Sequence, residues 1–202
     1  MYRMKVSFGP LVITAGICGF LSFAFLAISL GTEYWYIIEM NPVNMSDLED
    51  LSSHSGLWSV SEGGGSLTVD YYSETELHML NIHSAIVVVL PVSLLLLLFG
   101  GICGLVSSLA RSPVLLIATA SYFFICSQLT LCGVSLYIIY SYKALAETER
   151  LVGPEGLAYI HTSFGWSLGM AWLSYSLELL SGVLLLTAAQ ITKVQHSSPA
   201  IA

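Results

Sequence analysis

Charge is what this chain has least of. Only 9% of its 202 residues are Asp, Glu, Lys or Arg, against about 25% in an ordinary soluble domain, and the mean hydropathy is +0.79. A soluble globular protein is excluded. Cysteine is scarce too: Cys18, Cys103, Cys126 and Cys132 all fall in long apolar runs, so none is available for a disulfide outside the membrane. The five histidines, His54, His78, His83, His161 and His196, lack the i,i+4 spacing of a helical zinc site. No Gly-x-Ser-x-Gly nucleophile elbow occurs. No catalytic residue, metal or cofactor is therefore expected, and neither nucleic acid nor a small-molecule substrate is expected as a partner.

What is present is four uncharged stretches, about 10–30, 82–107, 114–140 and 164–190, the last interrupted only by Glu178. Each exceeds the roughly 20 residues a helix needs to cross the hydrocarbon core. They leave loops of about 31–81 and 141–163 and read as one domain over 1–202. The first span is too long for the apolar run of a cleaved signal, typically about 7–15 residues, so it is expected to stay.

With the N-terminus inside, the cytoplasmic segments hold Arg3, Lys5, Arg111 and Lys193 and no acid. The two outer loops hold Lys143 and Arg150 among twelve acids. Four of six basic residues on one side fix the orientation by the positive-inside rule, with both termini cytoplasmic. The acidic outer face has two readings: a cation-attracting lining, or plain solubility of an exposed loop, the reading preferred here.

Gly31 to Tyr72 is the long polar interruption between spans. Tyr34-Trp35-Tyr36-Ile37-Ile38 has the composition of a strand and also of an interfacial aromatic belt, and Asn41-Pro42 ends it. Asn44-Met45-Ser46 is an N-glycosylation sequon on the outer side. Gly56 to Val60, a glycine-rich turn over Ser61 to Ser66, and Leu67 to Tyr72 read as a hairpin. The outer loop is thus expected to form a small antiparallel sheet.

Within the spans, Gly16 with Gly19 and Gly100 with Gly104 mark close-packing faces. Pro91 sits inside the second span, where neighbouring helices can satisfy the freed backbone. The short turn around Arg111-Ser112-Pro113 makes helices two and three antiparallel neighbours, and Tyr137, Tyr140 and Tyr142 place the end of helix three beneath the sheet. Glu178 is the costliest residue in the chain; an intramembrane ionisable group is by default a functional candidate. Gln128 and Ser127 in helix three and Ser93 in helix two lie at similar depth. A relay would need a second intramembrane ionisable group and none exists, so a hydrogen-bonded carboxyl tying the bundle together is preferred. Cys103, nearest the cytoplasmic end of its helix, is either a palmitoylation site or a buried small apolar residue, with burial preferred.

Four passes, cytoplasmic ends, a β-rich first outer loop, and Trp35 followed by Gly56-Leu57-Trp58 resemble the claudin and peripheral-myelin-protein superfamily. Gly31 to Ile38, Leu51 to Trp58, Gly133 to Ile138 and Ser163-Phe164-Gly165-Trp166-Ser167 are similar to its claudin-like transmembrane branch, over about residues 12–192. The resemblance implies a left-handed four-helix bundle capped by a small extracellular antiparallel β-sheet, at the plasma membrane, without catalysis. It also implies two cysteines stapling the strands after Gly-Leu-Trp. Here Ser61 and Leu67 stand at those positions, so a constraint that typically contributes ~2–4 kcal/mol is missing.

The functional expectation is a non-enzymatic four-pass plasma-membrane protein acting through lateral or cell–cell contacts. Its partners would be the lipid bilayer and other membrane proteins, itself or a channel subunit among them. The alternative is an auxiliary subunit modulating an ion channel or glutamate receptor.

Overall fold

The computed structural model of the chain describes residues 7–40, 52–58, 74–157 and 160–197. Four helices account for most of them: α1 (Phe8–Gly31), α2 (Glu74–Ala110), α3 (Pro113–Leu157) and α4 (Trp166–Ser197). All four are long and apolar enough to cross a membrane. Lipid offers backbone N–H and C=O groups no water, so a spanning segment must close its hydrogen bonds within itself, as a helix does. The outward positions are apolar as well: Ile13, Phe20, Val88, Leu95, Phe99 and Leu105 are each more than half exposed. In water such a surface would drive association; against acyl chains it is matched to its solvent. The chain is a multi-pass membrane protein.

The helices outrun the uncharged windows. α2 begins at Glu74 instead of about 82, and α3 runs to Leu157 instead of stopping near 140. An uncharged window locates only the stretch that lipid demands be apolar, whereas helical hydrogen bonding continues into polar sequence. On the extension of α3 an i,i+3 pair, Arg150 with Glu147 at 3.5 Å, bridges one turn. Most of the expected loop 141–163 is therefore helix. Gly153, at φ 80°, breaks it with a conformation that favours glycine. Between α2 and α3 the chain turns through Arg111, also at positive φ, with Pro113 opening α3 where no N–H is needed.

Three strands form the sheet: β1 (Tyr36–Met40), β2 (Ser52–Ser55) and β3 (Ile160–Phe164), in the order β2-β1-β3 with both pairings antiparallel. Tyr36 lies opposite Ser55 on one side and Phe164 on the other. The expected strand over Tyr34–Ile38 is present, shifted forward. The strand expected to start at Gly56 is corrected: β2 ends at Ser55 and Gly56–Trp58 leaves the sheet. A Cβ on Gly56 would lie 2.8 Å from Glu33 Cα, so this residue serves a close backbone approach rather than a ladder. The remainder of the expected hairpin, with Ser61 and Leu67, lies outside the described residues. β3 is an addition, because residues 160–164 read as loop and helix start. Helix four begins at Trp166 rather than 164 for the same reason.

Two compact units divide the chain. One draws on α1 up to Ala27, on Val92–Leu131, and on α4 from Trp172. Its interior is built on small and hydroxyl side chains, with Ala15, Ser22, Ala120, Thr130, Ser174, Ser181 and Ala188 all buried, which lets helix backbones approach. The expected α1 seam is half right. A Cβ on Gly19 would meet Phe123 at 3.5 Å and Ser181 at 3.6 Å, but Gly16 opens onto empty space, since residues three apart are offset by roughly 60° around a helix. Gly100 and Gly104 both face α3, against Tyr122 and Thr119.

The other unit, Ile28–Pro91 with Cys132–Ala171, carries the sheet. α2 continues through Pro91. α3 supports the sheet as its tyrosines suggest: Tyr137 packs on Trp35 with ring centroids 4.7 Å apart, and Tyr142 meets Phe164 of β3 edge-on at 6.3 Å.

Candidate functional site

The four signature residues converge on the end of α1. The last carbonyls of any helix have no partner within it. Here two indoles supply donors: Trp35 Nε1 donates to Ser29 O at 2.8 Å and Trp58 Nε1 to Leu30 O at 2.7 Å. Thr32 Oγ1 reaches Ile28 O at 2.9 Å. Trp35 and Leu57 are fully buried, while Trp58 remains 57% exposed. Gly56, pressed against Glu33, brings Leu57 and Trp58 back to the helix. The Trp and Gly-Leu-Trp elements thus act together as a C-terminal cap on α1 that also anchors the sheet.

A second junction joins β3 to α4. Gly165 N donates to Trp35 O at 3.0 Å and Ser167 N to Tyr34 O at 3.3 Å. The Tyr34 carbonyl occupies the space a Cβ on residue 165 would need. Ser29 Oγ donates to Ser167 O at 2.8 Å, and the Thr32 and Ser167 hydroxyls are 2.7 Å apart. Tyr34 stacks with Trp166 at 6.0 Å.

Glu178, fully buried in α4, is held by hydroxyls. Thr130 Oγ1 lies 3.0 and 3.2 Å from its two carboxyl oxygens, Ser174 Oγ 3.3 Å from Oε1, and Ser22 Oγ 3.5 Å from Oε1. Thr130 in turn pairs with Ser93 of α2 at 2.6 Å, so all four helices contribute a side-chain oxygen. The bundle-tying carboxyl is what the geometry shows, with partners that correct the sequence reading. From α3 the contact is Thr130, not Gln128 or Ser127. Ser127 bonds back to Phe124 O at 2.7 Å, and Ser93 acts through Thr130. Ser22 and Ser174 were missed. Their signal was spacing: Ser22 and Ser29 in α1, and Ser167, Ser174 and Ser181 in α4, lie seven residues apart. Ser181 Oγ correspondingly donates to Ala15 O at 2.9 Å.

Gln128 is exposed on α3. Cys103 is exposed on α2 rather than buried, its side chain facing lipid where a soluble protein's logic would put it inside. Asn44 lies outside the described residues. No cluster of metal-ligating side chains occurs among the described residues. A pocket of about 50 Å³ beside Tyr36, Tyr142 and Phe164 is too small for a cofactor.

These features meet an independent comparison. The model of the PMP-22/EMP/MP20/Claudin tight junction family matches residues 20–187. The chain belongs to this family. Among curated proteins it is 27% identical to the voltage-dependent calcium channel gamma-5 subunits of Mus musculus and Homo sapiens, over 83% of this chain and 65% of theirs. It is also 27% identical to the human voltage-dependent calcium channel gamma-7 subunit, over 84% of this chain and 65% of that one. It therefore spans about two thirds of the length of these relatives. In this claudin-family chain Trp35 and Trp58 are helix-capping groups, which ties a residue just after the first span to a distant Gly-Leu-Trp triplet in physical terms.

Proposed function

We propose that the protein is a non-enzymatic claudin-like protein of the plasma membrane that works by lateral contact, as an auxiliary subunit of an ion channel. The observation that carries this is the likeness to voltage-dependent calcium channel gamma subunits along 83% of the chain. The one intramembrane carboxyl is engaged by three hydroxyls, an arrangement suited to holding helices together rather than to transfer chemistry. For orientation, Arg111 of the α2–α3 turn lies 5.7 Å over the Phe8 ring, which puts that turn and the start of α1 at one end. The sequence segments assigned to that side carry Arg3, Lys5, Arg111 and Lys193 and no acid, which supports reading it as the cytoplasmic one.

The test is co-expression with pore-forming channel subunits, purification from native membrane, and current recording. The expected result is stoichiometric co-purification and altered gating. A panel of pore subunits that neither co-purify nor change their currents sinks the reading. Cell–cell contact is the second reading, favoured by the tight-junction description of the family. Expression in an epithelial monolayer with no change in conductance or charge selectivity removes its paracellular form.

A further inference from the structure

Three aromatic rings meet where β1, β3 and α3 come together. Phe164 of β3 lies edge-on to Tyr36 of β1, at 6.0 Å and 71° between planes, and to Tyr142 of α3, at 6.3 Å and 75°. Rings set this steeply make a corner rather than a stack. They wall a pocket of about 50 Å³ that Leu145, Ser141 and Thr162 close. The corner is reached from outside, since Tyr142 is 62% and Phe164 43% exposed.

Size, charge and hydrogen bonding decide what fits. A cavity needs about 10–15 Å³ to hold one water, so this one takes roughly four groups of that size, and a trimethylammonium group has about that many heavy atoms. Aromatic faces attract a cation that lies within about 6 Å of the ring centroid. Residues 31–81 and 141–164, which supply all three rings, carry twelve acids against two bases, a balance that draws cations and disfavours anions. A cation with N–H donors is poorly served here. No carboxylate lines the pocket, and Ser141 Oγ already donates to Ile138 O at 2.8 Å. A quaternary ammonium has no N–H to satisfy, so it enters without that penalty.

Depth names the source. The uncharged stretch of α3 from Pro113 to Tyr142 is about 45 Å long at 1.5 Å per residue, the thickness of the hydrocarbon core with its interfacial layers. Lys143 follows at once, so the rings stand at the level of lipid headgroups. We propose that Tyr36, Tyr142 and Phe164 form a cage for the choline headgroup of a phosphatidylcholine molecule in the adjoining leaflet. Thr162, in the same wall, offers a hydroxyl donor to the phosphate beside the choline. The lipid thereby joins the sheet to α3 at this corner. The proposal stands apart from the channel reading, and its failure leaves that reading intact.

The experiment places the full chain in vesicles of phosphatidylglycerol containing a trace of phosphatidylcholine with a photoactivatable group beside its headgroup. Illumination is expected to label residues 142–145 and 162–164. Unlabelled phosphatidylcholine should compete about fivefold better than phosphatidylethanolamine of the same acyl chains. Tetramethylammonium should displace the probe where ammonium at equal ionic strength does not. Tyr142→Leu is expected to lower labelling about fivefold and Tyr142→Phe to keep it; the side chain is mostly exposed, so neither change threatens the fold. Fluorinated phenylalanines at position 164 keep the ring's shape and strip negative potential from its face, and should weaken labelling in step with the number of fluorines. Labelling that ignores ring electronics overturns the proposal, as does equal competition by phosphatidylethanolamine. Displacement by ammonium or by a lysine peptide as readily as by tetramethylammonium also overturns it, and points to a protein side chain as the occupant.

Discussion

Ser22 and Ser174 bond to each other's backbone: Ser22 Oγ donates to Ser174 O at 3.0 Å, and Ser174 Oγ to Ser22 O at 2.9 Å. The two hydroxyls also lie 3.0 Å apart. Each hydroxyl has one proton, so the pair shares two protons among the carbonyls, each other and Glu178. Helices held this way touch backbone to side chain, which only small residues allow. The pair should be energetically coupled. Ser22→Ala and Ser174→Ala are each expected to cost about 0.6–1.7 kcal/mol, the range for interhelical hydrogen bonds in membranes. The double variant should cost less than their sum, in a double-mutant cycle read by unfolding in detergent.

Glu178 sets the next expectation. Gln in its place keeps an acceptor for Thr130 and Ser174 and should unfold within about 1 kcal/mol of wild type. Leu removes every acceptor at once. Thr130 retains Ser93 at 2.6 Å and Ser174 retains Ser22 O, so the loss is limited to about 1–3 kcal/mol. Thr130→Val in the Leu background should then remove only the bond to Ser93 and add about 1 kcal/mol, less than it costs in wild type. A large additional loss would show that Thr130 contributes independently of the carboxyl.

The spans were legible because lipid imposes one rule on every residue it touches, and a run of about twenty residues without charge seldom arises except to meet that rule. The sheet was half legible. Tyr36 to Met40 carries β-branched and aromatic composition, and Asn41-Pro42 marks its end, whereas β2 is Ser-Ser-His-Ser and has no strand propensity to read. It pairs because β1 is there to pair with. β3 did carry a signal, Ile160, Thr162 and Phe164 in alternation, which the adjoining helix start concealed. Partner choice around Glu178 was illegible for a different reason. Depth along a helix can be counted from sequence, but which face turns inward at that depth depends on packing, and it separates Thr130 from Gln128 although they are two residues apart.

Trp35 and Trp58 can be told apart by substitution. Trp35→Phe keeps most of the packing on Tyr137 and loses the bond to Ser29 O, for about 1 kcal/mol, while Trp35→Ala should cost about 3–5 kcal/mol. Trp58 is more than half exposed, so Trp58→Phe should lose the bond to Leu30 O and little else. Thermal unfolding monitored by near-ultraviolet circular dichroism distinguishes them. Equal losses for Trp35→Ala and Trp58→Ala would contradict the capping account, in which only Trp35 is also core.

Gly165 and Gly169 offer the sharpest contrast, being one helical turn apart at the start of α4. The Tyr34 carbonyl stands where a Cβ on residue 165 would be, while nothing lies within 4 Å of a Cβ on residue 169. Gly165→Ala must therefore push β1 away from the β3–α4 junction, breaking the bonds from Gly165 N to Trp35 O and from Ser167 N to Tyr34 O. Those bonds sit beside the Trp35 cap, so the change should unseat the indole as well and prevent delivery of the folded protein to the cell surface. Gly169→Ala fills open space in a helix, where alanine is favoured over glycine by about 0.5–1 kcal/mol, and should leave delivery unchanged or raise it. Surface biotinylation of both variants beside wild type measures this directly. If the Gly165 variant reaches the surface as well as the Gly169 variant does, the sheet is not fastened to α4 through that residue.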